Sequence, residues 1–189
     1  MGFTPWPYDA TQMAVDDTNQ RIQDNGDIVA HHIMVGVPWE DALNRQPYHP
    51  NVEAELAGRL QMLQPDKAVF LAIDSLNQGR DGLAPNWGEA FNEPLPAPWD
   101  TRPFDNLFVA GAYTNFAIDL IGRFQPLYFN YGTEISELML NDPAAFDDYV
   151  QFADTTYTVL KAIYPNVEMM VSIAVKSPGS AEMATIAAG

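Results

Sequence analysis

Four polar side chains stand at the ends of apolar segments that the sequence predicts to be buried strands: His32, Asp74, Glu134 and Lys176. In each segment a small residue, Ala or Gly, precedes the polar residue by two positions, and the segment before Glu134 also carries Asn130. Because side chains alternate along a strand, the small and the polar residues share one face. The carboxyl ends of parallel strands meet at one edge of a sheet, so we expect the polar groups to converge there. Together they could perform general acid/base chemistry and bind hydroxyl groups.

Each of these residues also has a purely structural interpretation. An aspartate at a strand end, such as Asp74, commonly caps the following loop, and a lone histidine such as His32 is commonly a hydrogen-bonded core residue. The side chain of Lys176 can extend to solvent. The neighbouring His31 is predicted to point the other way, towards the helices. Glu134 follows a glycine at the end of a buried strand, where a structural role for a glutamate is least expected, so it is the favoured candidate.

The tryptophans provide a second feature. All four fall directly after predicted strands or in the long connections from strand to helix: Trp6, Trp39, Trp87 and Trp99. Indole rings offer flat apolar faces on which sugars stack, so a ring of them at the carboxyl ends of the strands suits a carbohydrate ligand. The alternative is that they anchor long loops to the rest of the fold.

Hydrophobic periodicity predicts four helices and five strands. The helices lie at 9–25, 52–63, 109–124 and 146–164, the last opened by Asp142 as N-cap and by Pro143. The strands lie at 27–33, 67–74, 127–132 and 168–175, and residues 3–4 form the frayed end of one more. A regular alternation of strand and helix requires a parallel sheet with right-handed crossovers, so the predicted fold class is α/β.

Two parallel architectures fit this alternation, the closed eight-stranded barrel and the open doubly wound sheet. Connections from strand to helix are long, at 34–50 and 75–105, and such loops commonly carry function. No glycine-rich phosphate-binding turn follows a predicted strand, which favours the barrel. A whole barrel needs about 250 residues. The 189 residues therefore predict an incomplete (β/α)8 TIM barrel with about strands one to five and helices one to four, a single partial catalytic domain over 1–189 that is truncated at both ends.

The composition excludes several classes of function. The chain has 25 Asp and Glu residues against 9 Lys and Arg, a net charge of −16, and an acidic surface repels nucleic acids and anionic membranes. It has no cysteine, which excludes disulfides, thiolate metal sites and thiol nucleophiles. No segment approaches the ~18 consecutive apolar residues that span a bilayer. Nothing in the composition indicates a cofactor, and we expect none.

Residues 128–137, Tyr-Phe-Asn-Tyr-Gly-Thr-Glu-Ile-Ser-Glu, resemble the fourth-strand signature of the (β/α)8 retaining glycoside hydrolases, the clan that includes cellulases and endo-β-galactanases. In that clan the strand ends Gly-Asn-Glu and the glutamate is the general acid/base. The resemblance assigns this role to Glu134, with Gly132 matching, while Thr133 stands where the clan has an asparagine that binds the sugar 2-hydroxyl. The clan's nucleophile is a glutamate on the seventh strand. The resemblance therefore implies that these five strands alone lack the nucleophile and are inactive.

The leading hypothesis is a retaining glycoside hydrolase that cleaves β-linked polysaccharide or oligosaccharide, represented by its N-terminal portion. Glu134 is the expected acid/base. The expected substrate-binding residues are His32, Asp74, Asn130, Thr133, Lys176, Trp6, Trp39, Trp87 and Trp99. A polysaccharide substrate favours an extracellular or periplasmic location, although residues 1–10 do not form a signal peptide.

Two alternatives remain open. The first is a barrel that binds carbohydrate without hydrolysing it, which Thr133 favours. The second is a metal-dependent barrel hydrolase with His32, Asp74 and Glu134 as ligands of zinc or manganese. Barrel hydrolases that bind metal tend to carry a His-x-His on the first strand, and the predicted first strand has no histidine, which disfavours the second alternative.

Overall fold

The computed structural model describes residues 1–175 and residue 181, and it has an α/β architecture with one parallel sheet, as predicted. The strands are β1 Gly2–Phe3, β2 Ile28–Ile33, β3 Ala68–Ile73, β4 Tyr128–Asn130 and β5 Glu168–Met170. The helices are α1 Gln12–Asn25, α2 Trp39–Asn44, α3 Pro50–Gln61, α4 Leu107–Phe124, α5 Ile135–Asn141 and α6 Pro143–Ile163, and Trp99–Thr101 form a 3₁₀ turn. No helix within this part of the chain is long and apolar enough to cross a bilayer.

The strands lie in the sheet in the same order as in the chain, β1-β2-β3-β4-β5, and all four pairs are parallel. Each crossover therefore adds the next strand on the same side of the last. In a doubly wound sheet the order reverses at a switch point, and no reversal occurs among these five strands. One row across the sheet joins His32, Ala72, Asn130 and Met170.

The two faces of the sheet differ in burial. Odd-numbered side chains of β2–β4, such as Ile33, Leu71 and Phe129, are fully buried and belong to the core with α4 and α6. Even-numbered side chains form what we term the open face: Ile28, Ala30, His32, Ala68, Phe70, Ala72, Tyr128 and Asn130. Apart from Ala72 and Asn130, these are only partly buried. The alternation that the sequence predicted is therefore realised, with the polar candidates on the open face.

Local signals explain where the long helices begin. The Asp142 side chain accepts a hydrogen bond from Ala145 N at 3.1 Å, and Pro143 occupies the first turn of α6, which confirms the predicted cap. Helix α1 begins at Gln12, later than the predicted residue 9, because Thr11 caps it by accepting from Ala14 N. Helices α3 and α4 match the predicted segments to within a few residues at each end.

The structure differs from the prediction in one strand and in two short helices. The segment predicted as a strand at 168–175 pairs with β4 only as far as Met170. Beyond it, Ser172 N donates to Gly132 O and Ile135 N donates to Ser172 O, so this stretch is bonded to the turn that leads into α5. The short helices α2 and α5 were not predicted, because six or seven residues are too few to display a helical period.

Candidate functional site

Three of the four predicted polar side chains meet at the carboxyl edge of the sheet, and an arginine joins them. His32 Nε2 lies 2.6 Å from Asp74 Oδ1. Arg80 Nη1 donates to Asp74 Oδ2 at 3.0 Å, and Arg80 Nη2 and Nε donate to Glu134 Oε2 at 3.0 and 3.2 Å. The side chains thus form a continuous chain His32–Asp74–Arg80–Glu134. Carboxylates that share one guanidinium are held at a fixed spacing, because the donors of the fork are rigid.

Asp74 is the buried end of this chain, with only 6% of its surface exposed. Burial on its own would raise the pKa of the Asp74 carboxyl, since a charge is costly away from water. The hydrogen bond from His32 and the charges of His32 and Arg80 outweigh that effect and hold its pKa below the ordinary value. Asp74 is therefore a stable carboxylate that contacts both His32 and Arg80.

Arg80 stands in a tight loop that follows β3. Asn77 N donates to Gly82 O, Arg80 N donates to Asn77 O, and the Arg80 side chain returns a bond to Asn77 O at 3.2 Å. The loop is also fastened from outside, because Asn141 Nδ2, at the last residue of α5, donates to Gly79 O at 3.0 Å. Arg80 itself has a positive φ of 55°. The pKa of its guanidinium, which burial alone would lower, is raised by Asp74 and Glu134.

Glu134 is placed by the turn between β4 and α5. Its φ is 54°, and its N–H donates to Ser172 Oγ at 3.2 Å, while the same hydroxyl accepts from Asn130 Nδ2 at 3.1 Å. Gly132, two residues earlier, has no room for a side chain, because a Cβ there would overlap the Tyr149 hydroxyl and press on Ile135. The glycine of the predicted motif therefore has a steric cause, and Glu134 projects where the strand ends.

Asp74, Arg80 and Glu134 line a cleft of ≈ 480 Å³, which we term the carboxylate cleft, whereas His32 does not line it. Its polar wall contains Asp74, Gln78, Arg80, Glu134 and Glu137, and its apolar wall contains Met34, Leu76, Pro85, Ala174 and Val175. The Glu134 side chain is 47% exposed to the cleft, whereas that of Arg80 is 14% exposed. A carboxylate that is held by an arginine yet accessible can exchange a proton with a bound molecule.

The remaining predicted polar residues have different fates. Asn130 is buried at 5% exposure and does not line the cleft; it supports the turn through Ser172 and through Gly132 N, which donates to Asn130 Oδ1. Thr133 does not line the cleft either, and its hydroxyl is buried without a hydrogen-bond partner among the described residues. Lys176 lies outside the residues that the structure describes.

Three of the four tryptophans require a correction. Trp39, Trp87 and Trp99 are 0–1% exposed, so their rings are not free to stack on a sugar. Trp39 stacks on Trp99 with ring centroids 5.4 Å apart, and the two indoles donate to Ala84 O and Glu40 Oε2. They anchor the long loops to the helices, which is the alternative that the sequence left open. Trp6 is 60% exposed, beside α1 and away from the carboxylate cleft.

The central position of Arg80 was not predicted. In the sequence Arg80 is one of several polar residues in the 75–105 loop, and its type and spacing do not distinguish it from the others. Which member of the 75–105 loop turns back to the strand ends depends on the tight turn at Asn77 and on the bond from Asn141, and neither has a periodic signature. His31, by contrast, points towards the helices as predicted and lies against the Phe124 ring at 5.5 Å between centroids.

The metal alternative finds no support in this geometry. Among the described residues no group of three or more histidine and carboxylate side chains is arranged to hold a metal ion. His32 and Asp74 are in contact, but the Arg80 guanidinium lies between Asp74 and Glu134, where an ion bridging the two carboxylates would have to sit.

Comparison with known proteins adds no family assignment. A scan against protein-family models and a search of curated proteins found no match to the chain.

Proposed function

We propose that this protein is a glycoside hydrolase in which Glu134 acts as the general acid/base on a β-linked glycan. The observation that carries the proposal is the position of Glu134: it follows a buried parallel strand, its carboxylate is half exposed in the carboxylate cleft, and the partly buried Arg80 orients it. Active sites of barrel enzymes occupy this carboxyl edge of the sheet.

The proposal includes the fold: we propose that these five strands are part of a (β/α)8 barrel. A strand order that follows the chain is what a barrel requires, because each β/α unit adds a strand in the same direction. The open face supports the same conclusion. Its side chains are partly exposed in this sheet, and in a closed barrel they would fill the interior together with the inward-facing side chains of the other strands.

The proposed chemistry assigns two proton transfers to Glu134. In the first, its carboxyl donates a proton to the glycosidic oxygen as the bond to the anomeric carbon breaks and a second carboxylate bonds to that carbon. In the second, the Glu134 carboxylate accepts a proton from the water that attacks the glycosyl-enzyme, which releases the sugar and restores the second carboxylate. Glu134 thus ends each cycle in its starting state.

Asp74 is linked to Glu134 through Arg80, which donates to both carboxylates. It is 6% exposed and already accepts bonds from His32 and Arg80, so we assign it to positioning and binding at the rim of the cleft. The resemblance to the barrel glycosidases places the nucleophile on a seventh strand. His32 does not line the cleft and lies 2.6 Å from Asp74 Oδ1, so we assign it to positioning Asp74.

The test is Glu134→Gln in the full natural polypeptide, assayed on aryl β-glycosides. Because an acid/base contributes about 10²–10⁴-fold to such a reaction, we expect kcat/KM to fall by at least about 10²-fold. The matched control is Glu89→Gln, at an exposed glutamate outside the cleft, and it should leave the rate unchanged. Activity of Glu134→Gln within about tenfold of the wild type excludes the role.

A second candidate function, carbohydrate binding without hydrolysis, is favoured by one observation. Thr133 stands where the resembling enzymes carry an asparagine, and its buried hydroxyl does not face the cleft. A pure binder would bind β-linked oligosaccharides without turning over any glycoside of the same sugar. Its affinity would also be unchanged in Glu134→Gln, because an amide of the same shape preserves most contacts. Isothermal titration identifies the oligosaccharides that the wild type binds, and an assay for their hydrolysis distinguishes the two functions, because a pure binder releases no product from them.

A further inference from the structure

We infer that Arg80 is the positioning residue of the carboxylate cleft: it holds the Glu134 carboxylate in its reactive place because Asp74 and the Asn77–Asn141 framework hold Arg80. The inference rests on the proposed function and deepens it, since it states which residue sets the geometry of the acid/base.

The first support is the difference in burial between the two carboxylates that Arg80 contacts. The Arg80 guanidinium divides its donors between Glu134, whose side chain is 47% exposed, and Asp74, whose side chain is 7% exposed. Asp74 is fixed further by His32 at 2.6 Å. The exposed carboxylate is therefore the mobile partner, and the buried one is the anchor.

The second support is the backbone of the arginine. A residue other than glycine at a φ of 55° is held there by its surroundings, and Asn77 supplies them through the bonds to the Arg80 N–H and side chain. Asn141 adds a tie at the far end of α5, the helix that Glu134 opens. Helix α5 therefore begins next to Glu134 and ends at Asn141, which is bonded to the loop that carries Arg80. The loop and Glu134 thus keep their relative position.

The third support is chemical. A planar fork can hold two carboxylates in different directions at once, whereas an ammonium group provides a point charge without that geometry. Replacing Arg80 by Lys therefore keeps the positive charge and removes the orientation. A displacement of about 1 Å at a reacting group can reduce the rate about 10²-fold.

The experiment compares Arg80→Gln and Arg80→Lys with Glu134→Gln, and with the double variant Arg80→Gln/Glu134→Gln, in the full natural polypeptide. The matched control is Arg45→Gln, because Arg45 also has a positive φ of 52° and bonds Asn115 on the helix side, outside the cleft. We expect Arg80→Gln to reduce kcat about 10²-fold with a KM within about threefold of the wild type. Arg80→Lys should recover only part of the loss, and Arg45→Gln should leave both constants unchanged.

The double variant separates a positioning role from a structural one. If Arg80 acts through Glu134, adding Arg80→Gln to Glu134→Gln causes no further loss of kcat, whereas independent effects multiply. An inactive Glu134→Gln together with a kcat of Arg80→Gln within threefold of the wild type overturns this inference and leaves the proposed function intact. A fully active Glu134→Gln overturns the proposed function itself. If Arg80→Gln does not fold, Arg80→Lys decides, and its full activity contradicts the inference.

A readout independent of turnover follows from Asp74. Because Arg80 helps to lower the pKa of the Asp74 carboxyl, Arg80→Gln should raise that pKa towards its ordinary value, measured by carboxyl ¹³C NMR titration. An unchanged Asp74 titration in Arg80→Gln shows that the two side chains are not paired in solution and overturns the inference.

Discussion

Arg80 and Glu134 form an ion pair of 3.0 Å between Nη2 and Oε2, and both residues adopt left-handed backbone conformations, with φ of 55° and 54°. For residues other than glycine such a conformation costs on the order of 1 kcal/mol or more. Five such residues occur among the described ones, and these two are the pair whose side chains meet in a cleft. Backbone strain is commonly retained where side chains must be presented in a particular direction, so the pairing supports the carboxylate cleft as the functional site.

The close approach at Gly132 gives a prediction about stability. In Gly132→Ala the new Cβ would overlap the Tyr149 hydroxyl and lie 3.0 Å from Ile135 Cγ2 and 3.1 Å from Val171 Cγ1. Tyr149 is fully buried and bonded to Ser75 Oγ at 2.9 Å, so it has little freedom to move. We expect the free energy of unfolding to fall by about 1–3 kcal/mol in urea denaturation.

The matched control for Gly132 is Gly58, in the middle of α3, where a Cβ would meet no atom within 4 Å. Gly58→Ala should stabilise the protein by about 0.5–1 kcal/mol, because alanine favours a helix more than glycine does. A Gly132→Ala variant that is as stable as the wild type would contradict the packing described for the turn before Glu134.

His31 gives a prediction about pH. It is 1% exposed, and neither ring nitrogen has a hydrogen-bond partner among the residues that the structure describes. Burial, helped by the charge of Arg59, lowers its pKa to about 4 from an ordinary value of 6.5. Between these values the unfolded chain binds a proton that the folded protein does not, so the contribution is present above pH 6.5 and is lost as the pH falls towards 4. The loss amounts to about 3 kcal/mol at pH 4.

The test is His31→Phe, which keeps an aromatic ring beside Phe124 and removes the titrating group. Unfolding free energies at pH 7 and at pH 4.5 should differ less in the variant than in the wild type. Other carboxylates titrate equally in both proteins, so the comparison isolates His31. A wild type and a variant with identical pH dependence would show that His31 is protonated without cost and is therefore not buried.

The tryptophans give a prediction that separates anchoring from ligand stacking. Trp39 is 0% exposed, stacks on Trp99 and donates to Ala84 O, so Trp39→Ala should destabilise the protein by about 3–5 kcal/mol in thermal or chemical unfolding. Trp6→Ala, at an indole 60% exposed, should change stability by no more than about 0.5 kcal/mol. Similar effects of the two variants would contradict the anchoring role.

The sequence was a good guide wherever a period extends over several turns or a whole strand. Helices α3, α4 and α6, the five parallel strands, and the opposite directions of His31 and His32 all follow from side-chain alternation and helical spacing. The convergence of His32, Asp74 and Glu134 follows as well, because parallel strands in register bring their carboxyl ends to one edge.

What the sequence could not predict depends on loops. The burial of Trp87 and Trp99 depends on how a connection of about 30 residues folds back onto α2 and α4, and no local pattern encodes that packing. Arg80 reaches the strand ends only because a single backbone angle is left-handed and Asn141 holds the loop. The central side chain of the candidate site is therefore the one that periodicity locates least well.

Asp74 gives a prediction about the pH dependence of stability, which tests its contacts with His32 and Arg80. Asp74→Asn leaves His32 and Arg80 without their shared carboxylate, and breaking a buried pair of this kind costs about 3–5 kcal/mol at pH 7. The pKa of Asp74 is lowered in the folded state, so its contribution is fully present above the ordinary value near 4 and is lost as the pH falls through the folded pKa. The difference in unfolding free energy between wild type and variant should thus be largest at neutral pH and should shrink below pH 4.

The control is Asp147→Asn, at an exposed aspartate of α6, whose unfolding free energy should stay within about 0.5 kcal/mol of the wild type at every pH. A gap between Asp74→Asn and the wild type that does not change with pH would mean that Asp74 contributes by shape alone, and the ion pair with Arg80 would then have no part in holding the cleft together.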